Sequence, residues 1–216
     1  MKLKMREQIM GDNIFNLWED KKELKELEST AYQENIPIIS RETANIIKSV
    51  LTVKKPKLIL EIGTAIGFST LWMARYTDSD TEIVTIERNQ DRFNKARKNI
   101  KKFGFNDKVN FKFGDAQEIL PYLRREFDFV FIDAAKGQYL NLFKMVEEKI
   151  SDDGIIICDN ILYKGLVRSE EKVDHEIRTI VVNLRKFLIY LKNNQKFKTE
   201  IFDIDDGISI STRRNS

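Results

Sequence analysis

Five short apolar runs, separated by stretches with helical periodicity, occupy the middle of this 216-residue chain. The runs are Leu58–Ile62, Ile83–Ile86, Val109–Phe113, Phe127–Ile132 and Ile155–Cys158, and the helical stretches lie near 68–76, 89–103, 115–125 and 138–149. Near-continuous apolar strands that alternate with helices are typical of βαβ units, in which helices cover both faces of a parallel sheet. The pattern therefore predicts an α/β fold.

Helices are predicted before this region. Residues 12–31 carry an apolar stripe at helical spacing, with Asp12 as a possible N-cap. Pro37 interrupts the pattern, and Ser40 is placed to cap a second helix that buries Ala44, Ile47, Val50 and Leu51. Residues 1–55 are therefore predicted to form a helical N-terminal cover on a single domain that spans residues 1–216.

A long helix and a hairpin are predicted after the alternating region. The helix lies near 170–192, and two runs, Phe197–Ile204 and Ile208–Thr212, follow it. They are joined through Asp205-Asp206-Gly207, and Asp-Gly between alternating runs is a hairpin signal. Five parallel strands and an antiparallel terminal pair predict a seven-stranded sheet, although chain order leaves the spatial order of its strands open.

Composition excludes several classes of protein. Hydrophobic residues make up 42% and charged residues 33% of the chain, which is typical of globular proteins and not of disordered ones. No apolar run approaches the ~20 residues of a membrane helix, and the charged N-terminus lacks the apolar core of a secretory signal. A single cysteine fits a reducing compartment. We therefore expect a cytoplasmic protein without a membrane segment.

A glycine-containing loop follows the first strand. Gly63 and Gly67 separate that strand from the next helix, where glycine lets a backbone approach a ligand. A dinucleotide fingerprint would need glycine at 65 and 68, which are alanine and phenylalanine, and the lysine of a phosphate-binding loop is absent. A tight turn without a ligand is the alternative interpretation.

Polar residues at the next two strand ends indicate a nucleoside. Glu87 ends the second strand, where an acid can accept both hydroxyls of a ribose. Asp115 and Ala116 follow the third strand, where a base could lie. An adenosine ligand without a pyrophosphate fits this set, and S-adenosylmethionine is such a ligand. A solvated glutamate remains the alternative for Glu87.

The fourth and fifth strands each end in an aspartate. Asp133 and Asp159 are separated by one helix and one return strand, so they should lie at adjacent strand ends. Two close carboxylates repel unless a proton or a cation lies between them, and Asn160 adds a third oxygen. Hard cations such as Mg²⁺ prefer oxygen ligands. The alternative is that both aspartates cap helices or turns.

Three further residues could take part in chemistry. Lys136 lies three residues after Asp133 and is a candidate general base, or else a surface lysine. His175, the only histidine, falls on the polar side of the long helix, and Cys158 lies in a buried strand. Catalysis that depends on histidine or cysteine is therefore not expected.

Five motifs together resemble the cation-dependent class I O-methyltransferases of the catechol and caffeoyl-CoA type. They are LEIGTAIGFST at 60–70, TIE at 85–87, GDA at 114–116, FIDAAK at 131–136 and DNILYKG at 159–165. The resemblance extends from Ile36 to Arg213, and the most similar branch is the short bacterial one that methylates 5-hydroxyuridine in tRNA. It implies a Rossmann-like class I methyltransferase fold and a homodimer.

The resemblance also implies roles for single residues. The methionine end of S-adenosylmethionine would be lined by Gly63, Gly67 and Ser69. Glu87 would hold the ribose, and Asp115 and Ala116 would flank the adenine. Ile38 would cover the cofactor. Asp133, which also borders the cofactor, would bind Mg²⁺ with Asp159 and Asn160, and Lys136 would take the proton from the attacking hydroxyl. Ala65 departs from the glycine that many class I enzymes have there.

Charge distribution bears on the substrate. The net charge is only +3, but residues 88–112 carry nine basic and two acidic side chains, and residues 160–200 carry nine and five. Phosphate contacts from these segments, with Lys164 and Arg168 best placed, would favour the anticodon loop of tRNA as the substrate. The alternatives are a small catechol or phenolic substrate, or an RNA-binding module without catalysis.

Overall fold

A seven-stranded mixed sheet forms the centre of the protein. The computed structural model describes residues 22–169 and 174–214. The strands are β1 (Leu58–Ile62), β2 (Glu82–Glu87), β3 (Val109–Phe113), β4 (Phe127–Ile132), β5 (Ile150–Cys158), β6 (Phe197–Phe202) and β7 (Ile208–Arg213). Their order is β3-β2-β1-β4-β5-β7-β6. The first five pair in parallel and the last two antiparallel, which confirms the predicted sheet.

Helices lie between the strands and before them. They are α1 (Lys22–Gln33), α2 (Arg41–Lys54), α3 (Phe68–Arg75), α4 (Gln90–Lys102), α5 (Ala116–Ile119), α6 (Tyr139–Val146) and α7 (His175–Asn193). Ser40 caps α2 as predicted, because its hydroxyl accepts a hydrogen bond from the Thr43 amide. None of the described helices combines the length and the hydropathy that a membrane span requires.

The central strands of the sheet are buried on both faces. Leu58, Leu60 and Ile62 of β1 belong to a hydrophobic cluster that includes side chains of α6 and α7. Ile59, between them, belongs to a second cluster with side chains of α1, α2 and α3. Successive strand residues point to opposite faces, so an apolar run such as Leu58–Ile62 needs a helical layer on each side.

Several predicted elements have other bounds in the structure. The strand predicted over 155–158 begins at Ile150, and the helix predicted over 138–149 ends at Val146. The sequence predicts a helix over 115–125, but α5 ends at Ile119 and a 3₁₀ turn, Leu120–Tyr122, follows it. Pro121 lacks the N–H that a continued α-helix would need. The strand predicted over 197–204 ends at Phe202, because residues 203–207 form a loop that binds the segment after β5. The predicted helix over 12–31 lies partly outside the described residues.

Candidate functional site

A cavity of about 320 Å³ opens at the carboxyl ends of β1, β2, β3 and β4. This edge of a parallel sheet is where α/β proteins bind ligands. Most residues predicted for the site line the cavity, namely Ile38, Gly63, Glu87, Asp115, Ala116, Asp133, Lys136 and Asn160. Gly67, Ser69 and Asp159 lie outside its lining. The structure therefore brings the candidate cofactor residues and most of the candidate metal and catalytic residues to one space.

The glycine loop is a left-handed turn. Gly63, Ala65 and Gly67 all have positive φ values, of 103°, 47° and 87°. In this conformation the Ala65 amide donates a 2.9 Å hydrogen bond to Oε2 of Glu87. Ala65 thus takes the left-handed backbone that glycine adopts more easily, and the bond to Glu87 offsets part of the cost. The departure from glycine at this position therefore leaves the turn intact.

We expect Gly63→Ala to destabilise the protein. A Cβ atom on Gly63 would lie 1.9 Å from the carbonyl oxygen of Asp133, and φ is unfavourable for alanine. Backbone strain and overpacking together should lower the free energy of unfolding by about 2–5 kcal/mol. Gly104→Ala is the matched control, because Gly104 also has a positive φ but its Cβ would meet nothing within 4 Å. Equal losses in urea unfolding of both variants would contradict the role of the contact with Asp133.

Glu87 is oriented by two backbone amides. Its carboxylate accepts hydrogen bonds from Ala65, at 2.9 Å, and from Asn89, at 2.8 Å. The side chain is 7% exposed, and that exposure is to the cavity. Because each carboxylate oxygen has two lone pairs, the group can still accept a pair of hydroxyls. This arrangement fits the predicted ribose contact.

Asp115 lines the cavity just after β3. One carboxylate oxygen accepts the Gln117 amide at the start of α5, and the other accepts Nε2 of Gln138 at 3.2 Å. Arg88 Nη1 is 3.6 Å from that second oxygen. Asp115 therefore connects the end of β3 to the segment that carries Lys136.

Gly67 and Ser69 form part of the support behind the cavity. Ser69 Oγ donates a 2.5 Å hydrogen bond to Glu61, which also accepts the hydroxyls of Thr70 and Thr85. Glu61 is fully buried, and burial raises its pKa to about 7. A Cβ on Gly67 would be 3.4 Å from Ala96. The contact of Gly67 and Ser69 with a cofactor stays a prediction.

The two strand-end aspartates occupy adjacent strands. The Asp133 amide donates to the Ile62 carbonyl, and the Asp159 amide donates to the Ile132 carbonyl. Burial raises the pKa of Asp133, and it raises the pKa of Asp159 to about 6, with a further contribution from the charge of Asp133. Asp159 is buried and Asp133 is partly exposed, and the charge of Asp133 disfavours a second negative charge on Asp159.

Lys136 and Asn160 complete this group. Lys136 Nζ donates a 3.1 Å hydrogen bond to Oδ1 of Asn160 and lies 3.9 Å from Oδ1 of Asp133. Two carboxylates and one amide oxygen are an incomplete set of hard ligands, which a divalent cation would complete with water or substrate oxygens. No described cluster of three acidic, cysteine or histidine side chains offers a fuller set. The donor chemistry fits Mg²⁺.

Several residues around the site were not predicted. Arg88, Arg92 and Gln138 line the cavity. Tyr139 lies beneath it and is 1% exposed, and its hydroxyl donates a 2.8 Å hydrogen bond to the Asp159 carbonyl. Burial raises the pKa of Tyr139, so the hydroxyl stays protonated and can donate. Arg88 directly follows Glu87, so its place in the sequence could have indicated a residue of the site. Tyr139 gave no such signal, because an aromatic residue at the start of a helix usually indicates only a core position.

His175 and Cys158 take no part in the site. His175 is exposed at the start of α7, as expected. Cys158 is fully buried in β5, and burial raises the pKa of its thiol to about 12, so the reactive thiolate is disfavoured. Neither residue lines the cavity.

Comparison with known proteins agrees with this geometry. Caffeoyl-CoA O-methyltransferase 1 of Eucalyptus globulus is 29% identical over 204 residues, which cover 90% of this chain and 82% of the relative. Catechol O-methyltransferase of Niastella koreensis is 31% identical over 144 residues, 65% of each chain. The crystal structure of an O-methyltransferase from Bacillus cereus in complex with SAH superposes with a TM-score of 0.84, at 25% identity, and covers 96% of both chains.

A family profile extends the similarity to nearly the whole chain. The profile, described as O-methyltransferase, matches residues 16–214. This range includes all seven strands and every residue of the cavity. The chain therefore belongs to the O-methyltransferase family.

Proposed function

We propose that this protein transfers the methyl group of S-adenosylmethionine to a hydroxyl of a small aromatic substrate with two neighbouring oxygens, with the help of a divalent cation. The observation that carries the proposal is the single cavity that Glu87 and Asp115 share with Asp133, Lys136 and Asn160. SAH, present in the Bacillus cereus structure, is what S-adenosylmethionine becomes after methyl transfer. The caffeoyl-CoA and catechol enzymes among the relatives support the substrate class.

The residues divide into two sets by task. Glu87 would accept the ribose hydroxyls, with Asp115 and Ala116 beside the adenine and Ile38 over the cofactor. Asp133, Asp159 and Asn160 would hold the cation. S-adenosylmethionine would supply an electrophilic methyl group, and the cation would acidify a hydroxyl close to it.

Lys136 is placed to accept the proton of the substrate hydroxyl. Its amine contacts Asn160 and faces the cavity, so a hydroxyl held near Asn160 comes within reach. As the proton moves to Lys136, the oxygen forms its bond to the methyl carbon and the carbon–sulfur bond breaks. Walls contributed by Ala134 and Ala135 would hold the ring and exclude water, so positioning should supply much of the rate.

A tRNA that carries 5-hydroxyuridine is the second candidate substrate. 5-Hydroxyuracil also presents two neighbouring oxygens, and Lys164 lies exposed in the loop after the metal ligands with no ion pair to described residues. Three of the other basic side chains already form ion pairs with acids. Arg168 pairs with Asp203, Lys95 pairs with Glu34, and Lys102 pairs with Glu26. These pairs favour the small-molecule substrate.

Methyl transfer from labelled S-adenosylmethionine would separate the two candidates. We expect activity on catechol and caffeoyl substrates, none on a monophenol, and loss of activity in excess chelator. Transfer to tRNA with 5-hydroxyuridine, but not to unmodified tRNA or to catechols, would establish the second candidate. In that case activity should fall steeply as the salt concentration rises, and Lys164→Glu should also lower it. Failure to bind S-adenosylmethionine would refute both.

A further inference from the structure

Tyr139 is the first residue of α6 and the only described side chain whose hydroxyl donates to the backbone of a candidate metal ligand. Its ring is fully packed, at a centroid distance of 5.6 Å from Phe187. Its hydroxyl lies 2.8 Å from the Asp159 carbonyl oxygen. The cavity lining does not include Tyr139, so this side chain acts through others and not on a substrate.

The peptide between Asp159 and Asn160 is held at both ends. Its carbonyl accepts the Tyr139 hydroxyl, and its N–H donates a 2.8 Å hydrogen bond to Oδ1 of Asp159. Asn160 has a φ of 56°, in the left-handed region that asparagine tolerates at some cost. The two hydrogen bonds offset that cost. They also fix the orientation of the peptide, and with it the directions of the Asp159 and Asn160 side chains.

Tyr139 also lies next to the segment that carries Lys136. The 3₁₀ turn Lys136–Gln138 leads directly into Tyr139, so the same side chain anchors the segment that carries Lys136. Tyr139 therefore links the turn that carries Lys136 to the peptide between Asp159 and Asn160.

We infer that Tyr139 is a positioning residue for the divalent cation, because its hydroxyl fixes the peptide that joins Asp159 and Asn160 and its helix begins directly after the turn that carries Lys136. The inference rests on the proposed function, since it concerns the cation assigned there. Groups that orient metal ligands typically change metal affinity by about 10–100-fold when they are removed. Tyr139→Phe removes only the hydroxyl and keeps the ring that packs on Phe187.

The test is direct binding of Mn²⁺, followed by electron paramagnetic resonance, with Mg²⁺ as competitor. Tyr139→Phe should weaken Mn²⁺ binding by about 10–100-fold. Its affinity for S-adenosylmethionine should stay near that of the wild type, because Glu87 and Asp115 are untouched. Activity should recover at high Mg²⁺, since the variant loses affinity and not the base.

Two controls separate positioning from general destabilisation. Phe187→Leu loosens the packing around Tyr139 but keeps its hydroxyl, so it should lower the melting temperature and leave Mn²⁺ affinity unchanged. Tyr190→Phe removes a hydroxyl that donates to Glu147, away from the proposed cation site. This variant should also leave Mn²⁺ affinity unchanged. The inference is overturned if Tyr139→Phe binds Mn²⁺ as the wild type does, or if Phe187→Leu loses as much affinity. If the wild type itself binds no Mn²⁺, the proposed cation is wrong and the inference falls with it.

Discussion

Asp159→Asn is expected to lower kcat/KM by at least about 10³-fold, since a metal ion in such a site contributes several kcal/mol to transition-state stabilisation. Asp159 is one of the two carboxylates that we propose as ligands of the cation, and an amide oxygen binds a hard cation more weakly than a carboxylate. Binding of S-adenosylmethionine should persist, because its predicted contacts lie mainly on β1, β2 and β3. Activity measured over a range of Mg²⁺ concentrations, with calorimetry for the cofactor, tests both statements.

The same substitution should stabilise the metal-free protein at neutral pH. Burial raises the pKa of Asp159 from 3.8 to about 6, so ionising this carboxyl costs free energy in the folded state. This cost is absent below about pH 4 and grows as the pH rises toward 6. Above about pH 6 it reaches its full value of about 3 kcal/mol. Asparagine keeps the shape and the acceptor for the Asn160 amide without the charge.

This difference in stability can be measured by urea unfolding in the presence of a chelator. Asp159→Asn should raise the unfolding midpoint at pH 7.5 and leave it near that of the wild type at pH 4. Mg²⁺ should stabilise the wild type by binding the folded state only, and it should not stabilise the variant. Glu147→Gln serves as the matched control, since Glu147 is a buried carboxylate that binds Tyr190 and Asn194 outside the cavity. A variant that keeps full activity or gains no stability at pH 7.5 would contradict this account of Asp159.

Lys136→Ala is expected to lower kcat by about 10²–10⁴-fold, the usual effect of losing a general base. KM for the aromatic substrate and the affinity for S-adenosylmethionine should change little. The variant should lose less activity on a nitrocatechol, whose hydroxyl is more acidic and needs less help from a base. It should also lose less at high pH, where more of the substrate is already ionised.

The control for Lys136 is a lysine of similar chemistry outside the cavity. Lys144, on α6, lies over the ring of Tyr190 at 5.1 Å, and Lys144→Ala should leave kcat unchanged. Equal loss on catechol and nitrocatechol would show that Lys136 acts by holding Asn160 and not by accepting a proton. A rate close to that of the wild type at neutral pH would remove Lys136 from the catalytic residues altogether.

The basic segments show that a charge count in a sequence does not tell which charges are paired in the fold. Helix α4 is basic and looks available for phosphate, yet Lys95 and Lys102 are paired with acids of the N-terminal segment. Glu26 and Glu34 lie more than 60 residues away in sequence. Pairing over that separation depends on how α1 and α4 come together, which no local charge count contains.

The elements of the fold and the places where chemistry could occur follow from the order of the amino acids. The apolar runs indicate β1 to β5, because a strand buried on both faces is apolar at most of its positions. Polar residues directly after such strands, including Glu87, Asp133 and Asp159, must lie at one edge of a parallel sheet. Periodicity and chain order are local properties, so sequence reasoning could obtain these features.

Only the three-dimensional structure shows which of these residues line the same cavity and which contacts hold them there. It placed β7 between β5 and β6, separated Ser69 from the cavity through its bond to Glu61, and brought Tyr139 under Asp159. Each of these outcomes depends on contacts between residues far apart in the chain. Such contacts are set by the packing of whole elements, since many side chains are buried together and no single motif specifies the arrangement.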